Sequence, residues 1–206
     1  MTHFKKYAAL TLLAVVPFLD LPDYYMHVLI LILIWGFVYT SWSIMGRFGL
    51  VSLGHGAFLG IGGYTVVLMW NYYGVTPFLG IPLALLLAVI VAVVVGYPCF
   101  QFRIVGHYFA LVTLALAEVV RMLIIAMRDH TGGSLGLTPQ RYEDGMSVYA
   151  LQFAEKDYFY GIVLLSWIFG IWVWNKVDSS MARYSLEAIS DDEEASSAVG
   201  IDVTRE

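Results

Sequence analysis

The chain has 206 residues, 60% of them hydrophobic and 13% charged, with a formal net charge of −5 and a mean hydropathy of +0.75. A soluble domain carries roughly 25% charged residues to keep its surface wet, so these proportions exclude an ordinary water-soluble globule. The net charge itself says little about partners, because much of it comes from one segment near the end of the chain, and no nucleic-acid partner is expected.

From Phe48 to Phe102 there is no Asp, Glu, Lys or Arg. A membrane-crossing helix needs about 20 apolar residues, so this stretch can hold two spans and a turn. About six spans are predicted along the chain. The first covers 7–19 after Lys5 and Lys6; it imitates a signal peptide, but no small-x-small cleavage site follows it and further apolar segments do, so a retained short helix is expected. The second covers 25–45 and is uncharged throughout. The third, 51–70, is glycine-rich at its start. The fourth, 78–97, is an almost unbroken Leu/Val/Ala/Ile run. The fifth, 105–127, contains Glu118 and Arg121, and the sixth covers 158–174. Backbone groups in lipid must be satisfied within their own segment. The runs are continuously apolar rather than alternating, which disfavours a β-barrel. The predicted fold class is therefore all-α: a polytopic membrane bundle, with a body over 1–177 and a polar tail over 178–206. The lone cysteine, Cys99, has no intrachain partner and reads as a small buried hydrophobe.

Lysine and arginine bias sets the predicted orientation. Lys5, Lys6, Arg47, Arg103, Lys176, Arg183 and Arg205 fall on one side of a six-span arrangement. The opposite loops hold Arg128, Arg141 and Lys156 beside seven acidic residues. Both termini are predicted to be cytoplasmic in a plasma membrane, bacterial or archaeal, with 128–157 as an outward-facing loop. Tyr24, Tyr25, Trp70, Tyr72, Tyr73, Tyr97, Tyr158, Trp172 and Trp174 fall near span ends, as an interfacial aromatic belt does.

Chemistry-bearing residues are few. There is no metal-spaced His/Cys cluster, no phosphate-binding loop and no nucleophile elbow, so neither an enzyme nor a cofactor site is expected. Glu118 and His107 are eleven apart, about three helical turns, and one helix cannot bring them together. Glu118 and Arg121 are three apart and can pair; a charge within a span marks either a structural pair or a substrate path. Gly54, Gly56, Gly60, Gly62 and Gly63 suit close helix packing, with Gly56 and Gly60 on a Gly-x-x-x-Gly face. His55 sits between two glycines, where helicity can break, and broken helices border substrate paths in transporters. The segment Thr131-Gly132-Gly133-Ser134-Leu135-Gly136-Leu137 permits positive φ and reads by composition as a flexible external loop. In the tail, Leu186, Ile189, Ala195 and Ala198 recur at roughly helical spacing. Gly200 is placed to end that helix, and a Ser190/Glu193 capping box would divide it into two short pieces.

The order Glu194-Ala195-Ser196-Ser197-Ala198-Val199-Gly200 resembles the cytoplasmic coupling loop of ABC importer permeases, whose core is Glu-Ala-Ala-x-x-x-Gly. The extended form, Glu187 to Glu193 followed by Gly200-Ile201-Asp202-Val203, is similar to the branched-chain amino-acid permease family. So are Ser52-Leu53-Gly54-His55-Gly56-Ala57-Phe58-Leu59-Gly60-Ile61-Gly62-Gly63-Tyr64, the stretch from Gly106-His107-Tyr108 to Ala115, and the Thr131-Gly132-Gly133 loop. The resemblance implies a transport subunit for branched-chain or similar small amino acids. It implies a periplasmic amino-acid-binding protein on the outer face, a second permease subunit in the membrane, and cytoplasmic ATP-binding subunits docked on the tail. Leu186, Ile189, Ala195 and Ala198 would be the apolar anchors of that docking, Asp191, Asp192, Glu193 and Glu194 its rim charges, and Gly200 its terminator. Two departures stand out: the family carries Arg at the position of Ser190 and Ala at that of Ser196. Permeases of this kind continue into further spans after the coupling loop, so an N-terminal portion is expected. A urea or short-amide permease of the same family, or a truncated remnant or small membrane scaffold, are the alternative readings.

Overall fold

The computed structural model describes residues 12–19, 21–142, 147–153 and 155–200, and of Phe18, Glu193 and Glu194 the backbone alone. The long helices are α1 (Asp23–Arg47), α2 (His55–Tyr73), α3 (Pro77–Gln101), α4 (Gly106–Ala126) and α6 (Lys156–Asp178). The short ones are α5 (Arg128–Thr131), α7 (Met181–Asp191) and α8 (Glu193–Ala198). Among the described residues there is no strand beyond an isolated bridge between Ser147 and Gln152. By length and composition α1, α3, α4 and α6 can each cross a membrane. These helices carry exposed Ile32, Leu86, Val93, Leu111 and Leu165; in water such surface would be unstable, whereas hydrocarbon solvates it. The chain is thus a multi-pass membrane protein.

Two compact units make up the chain, one from residues before Met45 together with Phe153–Ser180, the other from Met45–Gln152 with the tail from Met181. In the first unit, residues 12–15 are helical and tighten into a 3-10 turn over Val16–Leu19. Pro17 lacks an N–H donor and cannot prolong an α-helix. The remainder of the expected 7–19 span lies outside the described residues. α1 and α6 bury Met26, Leu33, Tyr160 and Leu164 as one cluster. Tyr160 is completely buried, and its hydroxyl donates to the Leu13 carbonyl at 2.9 Å, which satisfies the single polar atom of an otherwise apolar ring. Tyr160→Phe removes that bond. We expect a loss of about 1 kcal/mol, read as a lower melting midpoint of the detergent-solubilised protein. Where α1 and α6 cross, a Cβ on Gly170 would stand 2.9 Å from the Phe37 ring and one on Gly36 would stand 3.4 Å from Trp167. Trp167 Nε1 donates to Thr40 Oγ1 at 3.2 Å, and Thr40 in turn donates to the Gly36 carbonyl at 2.7 Å. The Thr40 hydroxyl is thereby bonded within the helices, as lipid demands. α6 extends beyond the expected 158–174 at both ends, through charged residues; at one of them Lys156 Nζ donates to the Asp23 carbonyl at 3.0 Å.

In the second unit α2 packs on both α3 and α4. The turn from α2 to α3 is written in the sequence. Gly74 adopts φ +62 and its N–H donates to Trp70, Thr76 caps α3, and Pro77 opens it, the residue types that helix ends favour. Gly80 and Ala84 of α3 are buried, and a Cβ on Gly80 would lie 3.5 Å from Val66 of α2; small side chains set this contact. α2 begins at His55 rather than at 51, the start expected of the third span. Residues 50–53 are non-helical, and Ser52 Oγ accepts from the Gly54 N–H at 3.2 Å, a local alternative to helical bonding.

Candidate functional site

The sequence-derived candidates fall at four places. The first is the start of α2. Leu53 N–H donates to Thr113 Oγ1 of α4 at 3.0 Å, and Thr113 donates to the carbonyls of Phe109 and Ala110, each at 3.0 Å. A Cβ on Gly54 would lie 2.8 Å from the Thr113 carbonyl oxygen. The two motifs around Gly54 and around Thr113, 59 residues apart in sequence, therefore meet as backbone against backbone. Gly60 faces Val120 and Ile124 of the same helix, at 3.9 and 3.6 Å. Gly56, Gly62 and Gly63 have open space where a Cβ would be. Among the described residues, close packing accounts for Gly54 and Gly60 but not for Gly56, Gly62 or Gly63. His55 is partly buried, and its Nδ1 is enclosed without a hydrogen-bond partner.

The second place is Glu118 and Arg121 on α4. The guanidinium grips the carboxylate with two hydrogen bonds, Nε to Oε2 at 2.9 Å and Nη2 to Oε1 at 2.5 Å. The side chains are 47% and 61% exposed, on the side of α4 away from Phe109 and Thr113, which are buried. An isolated charge at the centre of a span costs at least about 2.5 kcal/mol. Mutual pairing offsets part of that for both groups.

The third is the 131–152 segment. Composition suggested a flexible loop; the structure ties it down at Thr131, Thr138, Gln140 and Tyr149. Thr131 is buried; its hydroxyl donates toward the Ile124 and Met127 carbonyls at 2.5 and 3.0 Å and accepts from the Gly133 N–H. Gly132, Gly133 and Gly136 all have positive φ. A Cβ on Gly132 would collide with the Gly136 carbonyl oxygen, and one on Gly133 would meet Arg128 at 3.0 Å. The end of α2 holds the rest: Asn71 donates to the Thr138 carbonyl at 2.9 Å and accepts from Gln140 N–H at 2.8 Å, and Trp70 Nε1 donates to the Gln140 carbonyl at 2.8 Å. Thr76 donates to the Tyr149 carbonyl at 2.5 Å, and the Trp70 ring contacts those of Tyr142 and Tyr149. A loop can present a rigid surface only when its backbone polar groups are satisfied in this way.

The fourth is the tail. It forms two helices, but the cap between them is Asp192, not Ser190. Asp192 has an extended backbone and its carboxylate accepts from the Ala195 N–H at 3.0 Å, the bond that N-cap acids favour. Ser190 stays inside α7, its Oγ 2.7 Å from where a Cβ on Gly49 would be. Glu187 Oε1 accepts from Arg183 at 2.9 Å and pairs with Arg47 at 3.2 Å, so the end of α1 holds α7. Leu186 and Ile189 are half-buried within the chain, whereas Ala195 and Ala198 are exposed, Ser196 is buried and Asp191 is exposed. Met181, Tyr184 and Val199 stand out at 81, 62 and 84% exposure. Gly200 takes φ +96 just after α8; the side chains of Glu193 and Glu194 lie outside the described set.

Because the tail meets the chain just ahead of α2, while 131–152 is bound at the far end of α2, the two lie at opposite ends of this unit. Thr113, Asn71 and Gly49 were not singled out as site residues from the sequence, and Arg47 entered only through the charge bias. Thr113 belongs to the motif around Gly106–Ala115, but one Thr in an apolar helix carries no signal by itself, and the partners of the other three are distant in sequence. Among the described residues no group of three or more His, Cys, Asp or Glu is placed to hold a metal ion.

Comparison with known proteins adds identity to this geometry. The chain is 30% identical over 182 residues to the high-affinity branched-chain amino acid transport system permease protein LivM of Salmonella typhimurium, and 29% identical over 182 residues to that of Escherichia coli. In both cases 79% of this chain is covered but 42% of the relative, so the chain spans about two fifths of the length of the curated relatives it matches. No solved structure matches it significantly. The family described as "Branched-chain amino acid transport system / permease component" matches residues 24–205, a range that takes in every one of the four places above. The chain belongs to that family of branched-chain amino-acid transport permease components.

Proposed function

We propose that the chain is a membrane-spanning part of an ABC importer for branched-chain amino acids, paired with a second permease subunit and driven by a cytoplasmic ATPase. The observation that carries this is the tail. In a chain of this family, an amphipathic helix pair held by the Arg47–Glu187–Arg183 cluster stands at the end of the helices opposite the bonded Thr131–Gln152 segment. One end then serves the ATPase and the other a binding protein that delivers the amino acid. The side predicted to be cytoplasmic from Arg47, Arg103 and Arg183 is the tail's side. With Leu186 and Ile189 half-buried in the chain, the surface left for the ATPase is Met181, Tyr184, Ala195, Ala198 and Val199, rimmed by Asp191 and Asp192. Motion of the ATPase passes from this surface through Glu187 to Arg47 and so to α1.

Deleting the gene in its native host should abolish high-affinity uptake of radiolabelled leucine, and restoring the chain should return it. Glu187→Gln removes the carboxylate charge shared by Arg47 and Arg183 but keeps an acceptor oxygen. The cluster is about a third exposed, so stability should fall by less than about 1 kcal/mol, while uptake falls several-fold at unchanged membrane abundance. Full uptake in that variant would remove Glu187 from the coupling route.

A further inference from the structure

We infer that the Glu118–Arg121 pair is a binding point for the zwitterionic head of a free amino acid on its way through the membrane. This rests on the permease reading above. The guanidinium uses Nε and Nη2 on Glu118, which leaves its Nη1 edge and the remaining Nη2 proton unused. A planar guanidinium offers a second edge spaced for another carboxylate. Glu118, holding one partner on each oxygen, keeps lone pairs for an ammonium group. Cation and anion are thus presented side by side. A free amino acid carries the opposite arrangement, carboxylate and ammonium separated by a single carbon, so it can add to the pair without breaking it.

The surroundings fit the same ligand. Leu114, Met122 and Ile125 lie one helical turn from the pair and are 48, 57 and 41% exposed, an apolar bed for a branched aliphatic side chain. The pair's exposure within an otherwise apolar helix also points away from lipid, where two charges would be poorly solvated. A polar path along this face of α4 satisfies both observations. A ligand with one charge, or none, would leave half of the site unmatched, which separates an amino acid from urea or a simple amide.

The test uses chromosomal variants in the native host, with radiolabelled leucine uptake and membrane abundance read together. Glu118→Gln and Arg121→Gln should each lower uptake at least about tenfold at normal abundance. The double exchange Glu118→Arg with Arg121→Glu keeps an ion pair but reverses its direction, and it should not restore uptake. Recovery to half the native rate in the exchange, or uptake within twofold in either single variant, means that the pair is structural and the inference is wrong. If the glutamine variants fail to accumulate, Arg121→Lys decides: it keeps the charge but loses the fork, and KM for leucine should rise about tenfold, whereas an unchanged KM overturns the inference. A host whose leucine uptake survives deletion of the whole chain would instead refute the permease reading, a separate result.

Discussion

Gly132→Ala is expected to unfold the 131–136 corner and lower the melting midpoint of the solubilised protein by at least about 4 °C. Two costs add. The backbone at Gly132 has φ +72, where a Cβ crowds its own chain at about 1–2 kcal/mol. The new methyl group would also strike the Gly136 carbonyl oxygen, a backbone atom that cannot rotate away, and overpacking of this kind costs about 1–3 kcal/mol. For a chain of this size each kcal/mol corresponds to roughly 2–4 °C. The damage should spread, because Thr131 can satisfy Gly133 N–H and the end of α4 only while the corner keeps its shape. Ser134→Ala, at an exposed position of the same corner, is the control and should leave the midpoint unchanged. Thermal denaturation followed by size-exclusion chromatography reads both, and an unaltered midpoint for Gly132→Ala would contradict the placement of this loop.

The second large effect is expected at the start of α2. Gly54→Ala places a methyl 2.8 Å from the Thr113 carbonyl oxygen and 3.0 Å from the Thr113 Cβ. Gly54 itself has φ −92, so backbone strain is not involved and the cost is purely the contact with α4. The helices must part, stretching the Leu53 N–H to Thr113 Oγ1 bond, and about 1–3 kcal/mol of stability should be lost. Gly56→Ala makes the comparison sharp. It lies two residues on, meets nothing within 4 Å, and exchanges glycine for a better helix former, worth up to about 1 kcal/mol. The solubilised chain should therefore become slightly more stable. If leucine uptake nevertheless falls in Gly56→Ala, the open face at Gly56 and Gly63 is occupied in the assembled transporter, by a second subunit or by substrate. If both variants melt alike, the contact between the two motifs is not as described.

Much was legible from residues alone because lipid imposes a simple rule. A segment that must satisfy its own backbone and face hydrocarbon has to be helical and apolar, and runs such as 78–97 announce this without reference to any neighbour. The stop at Gly74, the cap at Thr76 and the opening Pro77 are equally local. The pairing of Glu118 with Arg121 followed from helical spacing, and the family from motifs whose order survives in the chain. Local reasoning failed at the break in the tail, where Ser190 is the expected cap. Ser190 and Asp192 are both residue types that cap helices, but Asp192 makes the cap bond to Ala195 N–H and Ser190 stays inside α7.

Tertiary structure alone decided which glycines are filled against. Gly54, Gly56, Gly60, Gly62 and Gly63 look alike in sequence, yet only Gly54 and Gly60 meet α4, because the crossing of two helices selects one stripe of each. It also converted a glycine-rich loop into a braced surface, since Asn71, Trp70 and Thr76 reach backbone groups some 70 residues away, and no local pattern announces a hydrogen bond at that distance. The apolar, helical, membrane-crossing character was set by composition and periodicity, which act within a segment. Which side chains meet, and hence where the chain can couple or bind, was set by packing between segments.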